Sequence, residues 1–276
     1  MIDRGFVRIA AGLIHYRRAG ASAGALPLIM AHAGPGSSAG LVPLIAELSA
    51  DRAVIAPDMM GNGESDPPPT ATTEISFYAD CLIAVMNRKG IARADFYGSH
   101  TGAQVVAELA IAHPDRVGCL VLDGIALFPD AMRREFLAQY AKPVVPRDDG
   151  SHLAWVWSFI RNLTLFFPYY NEDTQHAIPS GKVMPPELLT AKAAELLKVW
   201  STYHIAYGAA FRHAVRARLP LIASPTLVLE TERDPLAKYA ARAAALIPGA
   251  QTALTNHAGK GAAMLDFLRA NPVTAN

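Results

Sequence analysis

His100 lies in the run Gly98-Ser99-His100-Thr101-Gly102-Ala103, where an apolar stretch ends and a helical pattern begins. An imidazole there can accept a proton or act as a weak nucleophile. Thr101 opens the helical pattern, and the positive end of a helix favours an anion beside it. Two other glycine-rich turns follow apolar runs. One is His32-Ala33-Gly34-Pro35-Gly36-Ser37-Ser38. The other runs from Asp58 to Asp66 and is expected to shape a turn rather than join the chemistry. Late in the chain come Glu230-Thr231-Glu232-Arg233-Asp234-Pro235 and His257-Ala258-Gly259-Lys260-Gly261. Other reactive types do not assemble into known patterns. His113, His204 and His213 fall on helical patterns without metal-ligand spacing, so no metal is expected. Gly61-x-Gly63 lacks the third glycine of a dinucleotide fingerprint, so no cofactor is expected.

Short apolar runs without alternation precede these turns: Leu26–Ala31, Arg52–Asp58, Ala94–Gly98, Val117–Asp123, Pro225–Glu230 and Gln251–Thr255. Such runs suit strands buried on both faces of a sheet. Val7–Arg18 reads as a hairpin turning near Ala11-Gly12. Gly40–Ala50, Phe77–Lys89, Thr101–His113, Leu236–Leu246 and Ala262–Ala270 carry apolar residues at spacings of three and four, as helices do. Alternating strands and helices predict a mostly parallel α/β sheet.

The alternation stops between Asp123 and Pro225, where the sequence is helical and rich in aromatics. Trp155, Trp157, Phe159, Phe166, Phe167, Tyr169 and Tyr170 crowd together there. Such an insertion is expected over the carboxyl ends of the strands, where ligands bind in sheets of this kind. Most of the rings are expected to form its core and a minority to line a pocket beneath it. Trp155, Trp157, Phe166 and Tyr170 are the candidates, with His152 and with Arg161, which would bind a substrate carboxylate or pair with Glu172 or Asp173. His32 and Ser99 are further pocket candidates. Ser151 reads as a helix N-cap.

Composition bounds the function. Of 276 residues, 51% are hydrophobic and 18% charged, with 25 Lys plus Arg against 24 Asp plus Glu. The apolar fraction excludes intrinsic disorder, and the balanced charge gives no support to a nucleic-acid or membrane partner. Cys81 and Cys119, both in apolar contexts, make neither a disulfide scaffold nor a zinc site. With no signal peptide and no apolar run of membrane-spanning length in view, a cytoplasmic globular protein is expected. A homodimer is an open option that no residue pattern supports.

Taken together and in order, the three glycine-rich turns resemble the α/β-hydrolase superfamily. The closest likeness is to its capped branch of epoxide hydrolases, haloalkane dehalogenases and proline iminopeptidases. The segment from Pro225 to Asp234, with Ala244 to Ala250 after it, is similar to the family's acid-bearing strand and next helix. The resemblance implies an α/β-hydrolase fold: a mostly parallel eight-stranded sheet flanked by helices, with residues 1–124 and 219–276 as core and 125–218 as an inserted helical cap. It puts His100 at the nucleophile elbow, where the family usually has Ser, Asp or Cys, and Ser99 one position early. It puts Lys260 where the family has its general-base His, with His257 three residues before. Asp234 matches the usual acid, and Asp123 the alternative acid of some dehalogenases. The oxyanion hole would be the backbone N–H groups of Gly34 and Thr101, which need no particular side chain.

These substitutions set the expected chemistry. Lys260 is expected to carry its proton and pair with Asp234, and a cation near His100 to keep the imidazole neutral at pH 7. His100 would then serve as a general base in C–C cleavage, decarboxylation, elimination or isomerisation. Alternatively it would hydrolyse an ester or lactone, through an acyl-imidazole or by activating water. Either way the substrate is a small apolar or aromatic molecule. A third reading is a catalytically silent fold that binds such a ligand. Fold alone does not choose between them.

Overall fold

The computed structural model describes residues 1–21, 24–70, 72–179 and 181–272. Eight strands form one sheet: β1 (Asp3–Ile9), β2 (Gly12–Ala19), β3 (Leu28–Ala31), β4 (Val54–Pro57), β5 (Ala94–Ser99), β6 (Val117–Asp123), β7 (Thr226–Thr231) and β8 (Gln251–Thr255). Their order is β1-β2-β4-β3-β5-β6-β7-β8. The hairpin strand β2 runs antiparallel to β1 and β4, and every other pairing is parallel. The apolar runs explain the interior. All seven residues of β6 are buried, as its central place between layers of helices requires. The edge strand β8 is mostly exposed, Leu254 included.

Helices cover both faces. On one side, α2 (Ile75–Lys89), α3 (Thr101–Ala112) and the short α9 (Ala240–Ala244) pack Tyr78, Leu82, Val105, Leu109 and Ala243 against the sheet. On the other, α1 (Val42–Leu48) and α10 (Lys260–Ala270) bring Ile45, Leu48, Met264 and Phe267 to Met30, Tyr97 and Val121. Helix α3 is buried at every residue from Thr101 to Ala110, which its run of Ala, Val and Leu permits.

Between β6 and β7 lie α4 (Asp130–Gln139), α5 (Ser151–Asn162), α6 (Pro186–Lys198), α7 (Tyr203–Arg212) and α8 (Val215–Arg218). They build a separate aromatic core from Phe136, Tyr140, Phe159, Tyr169, Tyr203 and Phe211. Ser151 is the first residue of α5 and not its cap. Gly150 holds the cap position, and the Asp149 carboxylate accepts from the Ser151 N–H at 2.9 Å. Among the described residues no helix is long and apolar enough to cross a membrane.

Candidate active site

The backbone turns sharply at His100, between β5 and α3, with φ 51° and ψ −108°. A residue with a Cβ adopts such a conformation only where its surroundings impose it. Here the glycines two positions either side make the turn feasible. A side chain at Gly98 would come within 2.3 Å of the Gly102 carbonyl, and one at Gly102 within 2.3 Å of the Ala31 carbonyl. The His100 N–H donates to the Asp123 carbonyl at 2.8 Å, and its own carbonyl accepts from Ala103 in the first turn of α3.

The imidazole leans across the ends of the strands. Its Nε2 lies 2.6 Å from Asp234 Oδ2 in the turn after β7. The other carboxylate oxygen, Oδ1, accepts from the Leu236 N–H at 2.8 Å, so the acid is held at both oxygens. On its way the ring lies over Gly124, where a Cβ would stand 2.2 Å from His100 Cδ2. Because the carboxylate is an acceptor, the neutral ring carries its proton on Nε2 and keeps a lone pair on Nδ1. Burial pushes the His100 pKa down, but the charge and hydrogen bond of Asp234, helped by Asp123, outweigh it. The net result lies above the ordinary 6.5. For Asp234, burial works upward, and the charge and hydrogen bond of His100 with the Leu236 N–H carry the pKa below 3.8. The ring is thus more basic than an ordinary histidine.

The expected Asp234–Lys260 pair does not form, because His100 occupies that carboxylate. Lys260 Nζ instead bonds Asp123 Oδ2 at 2.5 Å. Asp123 is 1% exposed and also accepts from Tyr97 Oη at 2.7 Å and Thr231 Oγ1 at 2.8 Å. The Asp123 carboxylate therefore makes no hydrogen bond to the His100 ring, and only its backbone carbonyl meets His100. Asp123, Lys260, Tyr97 and Thr231 thus form a four-membered hydrogen-bonded network that supplies partners for the buried carboxylate. His257 is exposed in the turn before α10 and makes no hydrogen bond among the described residues. The loop there is not rearranged to bring it inward.

A cavity of about 200 Å³ opens at His100, walled by Gly34, Pro35, Thr101, Gln104, Phe136, Tyr140, Leu163, Phe167, Tyr207, Phe211 and Leu236, among others. Gly34 and Thr101 face one another across it, a Cβ on Gly34 falling 3.3 Å from Thr101 Oγ1. Neither backbone N–H donates a hydrogen bond within the described residues, which leaves both available to a developing anion.

None of the eight pocket candidates from the sequence lines this chamber. His32 is buried beneath the first turn, with Nδ1 on the Ala33 carbonyl and Nε2 accepting from the Met59 N–H. Ser99 borders a different cleft with Lys260, because the residue before the elbow points to the other side of the turn. His152 and Trp155 line an outer groove of α5, and Trp157 is 39% exposed. Arg161 bonds Asn162, not Glu172 or Asp173. Phe166 sits in an isolated bridge with Ala177, and the Tyr170 hydroxyl donates to Glu135.

A family model described as alpha/beta hydrolase fold matches residues 27–266. The chain belongs to the α/β-hydrolase family. Among curated relatives of this α/β-hydrolase is a 2-hydroxymuconate semialdehyde hydrolase of Pseudomonas sp. (strain CF600), 39% identical over 43% of this chain and 42% of the relative. Another is a proline iminopeptidase of Heyndrickxia coagulans, 25% identical over 46% of this chain and 44% of that protein. The matches thus span less than half the length of these relatives. Among solved structures, Epoxide Hydrolase A from Mycobacterium thermoresistibile superimposes with a TM-score of 0.79 at 20% identity, covering 100% of both chains. The enol-lactonase from Burkholderia xenovorans LB400 gives a TM-score of 0.72 at 20% identity over 96% of this chain and 100% of that one.

In this α/β-hydrolase the rings that reach the chamber are Phe128, Phe136 on α4, Tyr140 at its C-terminal cap, Phe167, and Tyr207 and Phe211 on α7. Clustering in sequence catches only Phe167 and misses the pairs Phe136/Tyr140 and Tyr207/Phe211, because pairs four apart do not look dense. Helical spacing finds them: each pair shares one helix face, and Tyr207 stacks on Phe211 at 5.7 Å.

Proposed function

We propose that this chain is a hydrolase of small apolar or aromatic esters or lactones in which a His100–Asp234 pair stands in for the usual nucleophile. The observation that carries the reading is the 2.6 Å contact between His100 Nε2 and Asp234 Oδ2 at the elbow, which fixes the ring's lone pair on Nδ1. Nδ1 takes a proton from water, and the resulting hydroxide adds to the substrate carbonyl. The oxyanion accepts from the N–H groups of Gly34 and Thr101. Its collapse expels the alkoxide, which recovers the proton from the imidazolium. Water, one imidazole and two amide donors balance the reaction. The chamber of about 200 Å³ suits a small acyl group, and its aromatic wall suits an apolar one. The names of the relatives, a semialdehyde hydrolase and an enol-lactonase, agree with hydrolysis at a carbonyl. The raised basicity of His100 also suits removal of a proton from carbon, which keeps a lyase or isomerase reaction as the second reading.

The test is turnover of a panel of small esters and lactones in ¹⁸O-labelled water, by wild type and His100→Ala. Labelled acid from wild type and none from the variant supports the reading. Equal turnover by both removes His100 from the chemistry. Saturable binding without product marks a silent binding protein.

A further inference from the structure

Four residues of the chamber wall, Gln104, Ala126, Phe128 and Ala210, also line a second cavity of about 600 Å³. Its outer wall is the junction of α7 and α8 with the start of α4. The charges that face it are mostly matched. Arg133 donates to the Phe211 and Arg212 carbonyls at the end of α7 and contacts Asp130 at 3.2 Å. Glu108, behind the wall, is held at both oxygens by Arg218, at 2.8 and 2.6 Å, and by His213 Nε2 at 3.2 Å. Each carboxylate therefore has its own guanidinium. Arg216 is left over: it is exposed on α8, lines the cavity, and has no ion pair or hydrogen bond among the described residues. Gln104, 4% exposed and one turn into α3, hydrogen-bonds His213 Nδ1 at 3.1 Å and stands at the partition between the two spaces.

An apolar chamber at the reactive imidazole thus adjoins a larger one carrying a single uncompensated cation. The partition between them is small or apolar apart from one amide. We propose that the substrate is an acyl compound with a distal carboxylate, its carbonyl at His100, its methylene tail passing Ala126 and Ala210, and its carboxylate on Arg216. The carbonyl end of this assignment rests on the hydrolase reading above, while the tail site does not. A planar guanidinium matches a carboxylate in two-point fashion.

The experiment compares p-nitrophenyl half-esters of glutaric, adipic and suberic acids with p-nitrophenyl alkanoates of equal chain length. Wild type is expected to favour the anionic series in kcat/KM. Arg216→Gln is expected to lower that preference roughly three- to tenfold, the size of one partly exposed charged contact, and Arg216→Lys to restore part of it. Calorimetric binding of the free dicarboxylates to His100→Ala separates the two ideas. Binding that falls in the His100→Ala/Arg216→Gln double variant upholds the tail site even if no ester is hydrolysed, in which case the hydrolase reading alone fails. No anionic preference, or one that Arg216→Gln leaves intact, overturns the proposal.

Discussion

His100 Nε2 and Asp234 Oδ2 stand 2.6 Å apart although 134 positions separate the two residues in the chain. The contact fixes the tautomer and favours the protonated ring, which is what the proposed role of His100 as an oriented base requires. In Asp234→Asn both effects are lost. Turnover is expected to fall on the order of a thousandfold with little change in fold, by analogy with acid removal in catalytic triads. Steady-state kinetics beside a circular dichroism melt checks this. A variant that keeps wild-type kcat would show the contact to be structural only.

The pH dependence follows from the same pair. A base must be unprotonated to act, so kcat/KM is expected to rise with pH along a limb centred above 6.5. Stability moves the other way. The raised His100 pKa means that protonation favours the fold, a contribution fully present below 6.5 and lost as pH rises through the folded-state value. The depressed Asp234 pKa adds stability that is present above 3.8 and lost as pH falls through its folded-state value. Urea melts of wild type and His100→Ala, one set below pH 6.5 and one well above the kinetic limb, should show the gap narrowing in the more alkaline set.

Lys260 and Asp123 form the other pair, 11% and 2% exposed at the side chains. Lys260→Met leaves Asp123 with the Tyr97 and Thr231 hydroxyls but no cation. The expected cost is roughly 3–5 kcal/mol of unfolding free energy, with partial recovery when Asp123→Asn is added. The lysine's charge also works to lower the His100 pKa, so the kinetic limb should move to higher pH in the single variant. Chemical denaturation and a pH–rate profile on the same preparations read the two effects apart.

Gly124 gives the imidazole its resting place. Its φ of 68° already disfavours a side chain, and an added Cβ would meet His100 Cδ2 at 2.2 Å. Gly124→Ala is expected to cost at least about 1 kcal/mol and to swing the ring off Asp234. Loss of activity with a folded protein, and a His100 ring resonance titrating near that of a free histidine, would be the signature.

Ser99 faces the cleft beside Lys260, away from the chamber. Incubation with a fluorophosphonate should leave the intact mass unchanged, and Ser99→Ala should retain turnover to within about twofold. An adduct mapped to Ser99 would reinstate a serine mechanism on a shifted elbow.

The eight-stranded sheet was legible in the chain because buried parallel strands write themselves as unbroken apolar runs. The runs at Ala94–Gly98 and Val117–Asp123 became β5 and β6 within a residue. The elbow was legible too, since Gly98 and Gly102 are demanded by close backbone approach and bracket His100 at fixed offsets. The pocket was less so. The density of aromatics between Trp155 and Tyr170 marks mostly the core of α5 and its following loop and gives the chamber only Phe167, whereas Phe136, Tyr140, Tyr207 and Phe211 reach it from the end of α4 and from α7.

The sequence by itself determined the residue types at the site: an imidazole at the elbow, an ammonium at the start of the last helix, and a carboxylate at or after the end of each of two neighbouring strands. Which carboxylate serves which base was decided only in three dimensions. Asp123 ends β6 and Asp234 follows the adjacent β7, so nothing local distinguishes them as partners. The rigid imidazole, laid over Gly124 by the strained elbow, reaches only Asp234. The longer lysine stem reaches past it to Asp123, where two hydroxyls complete the shell that a buried charge requires.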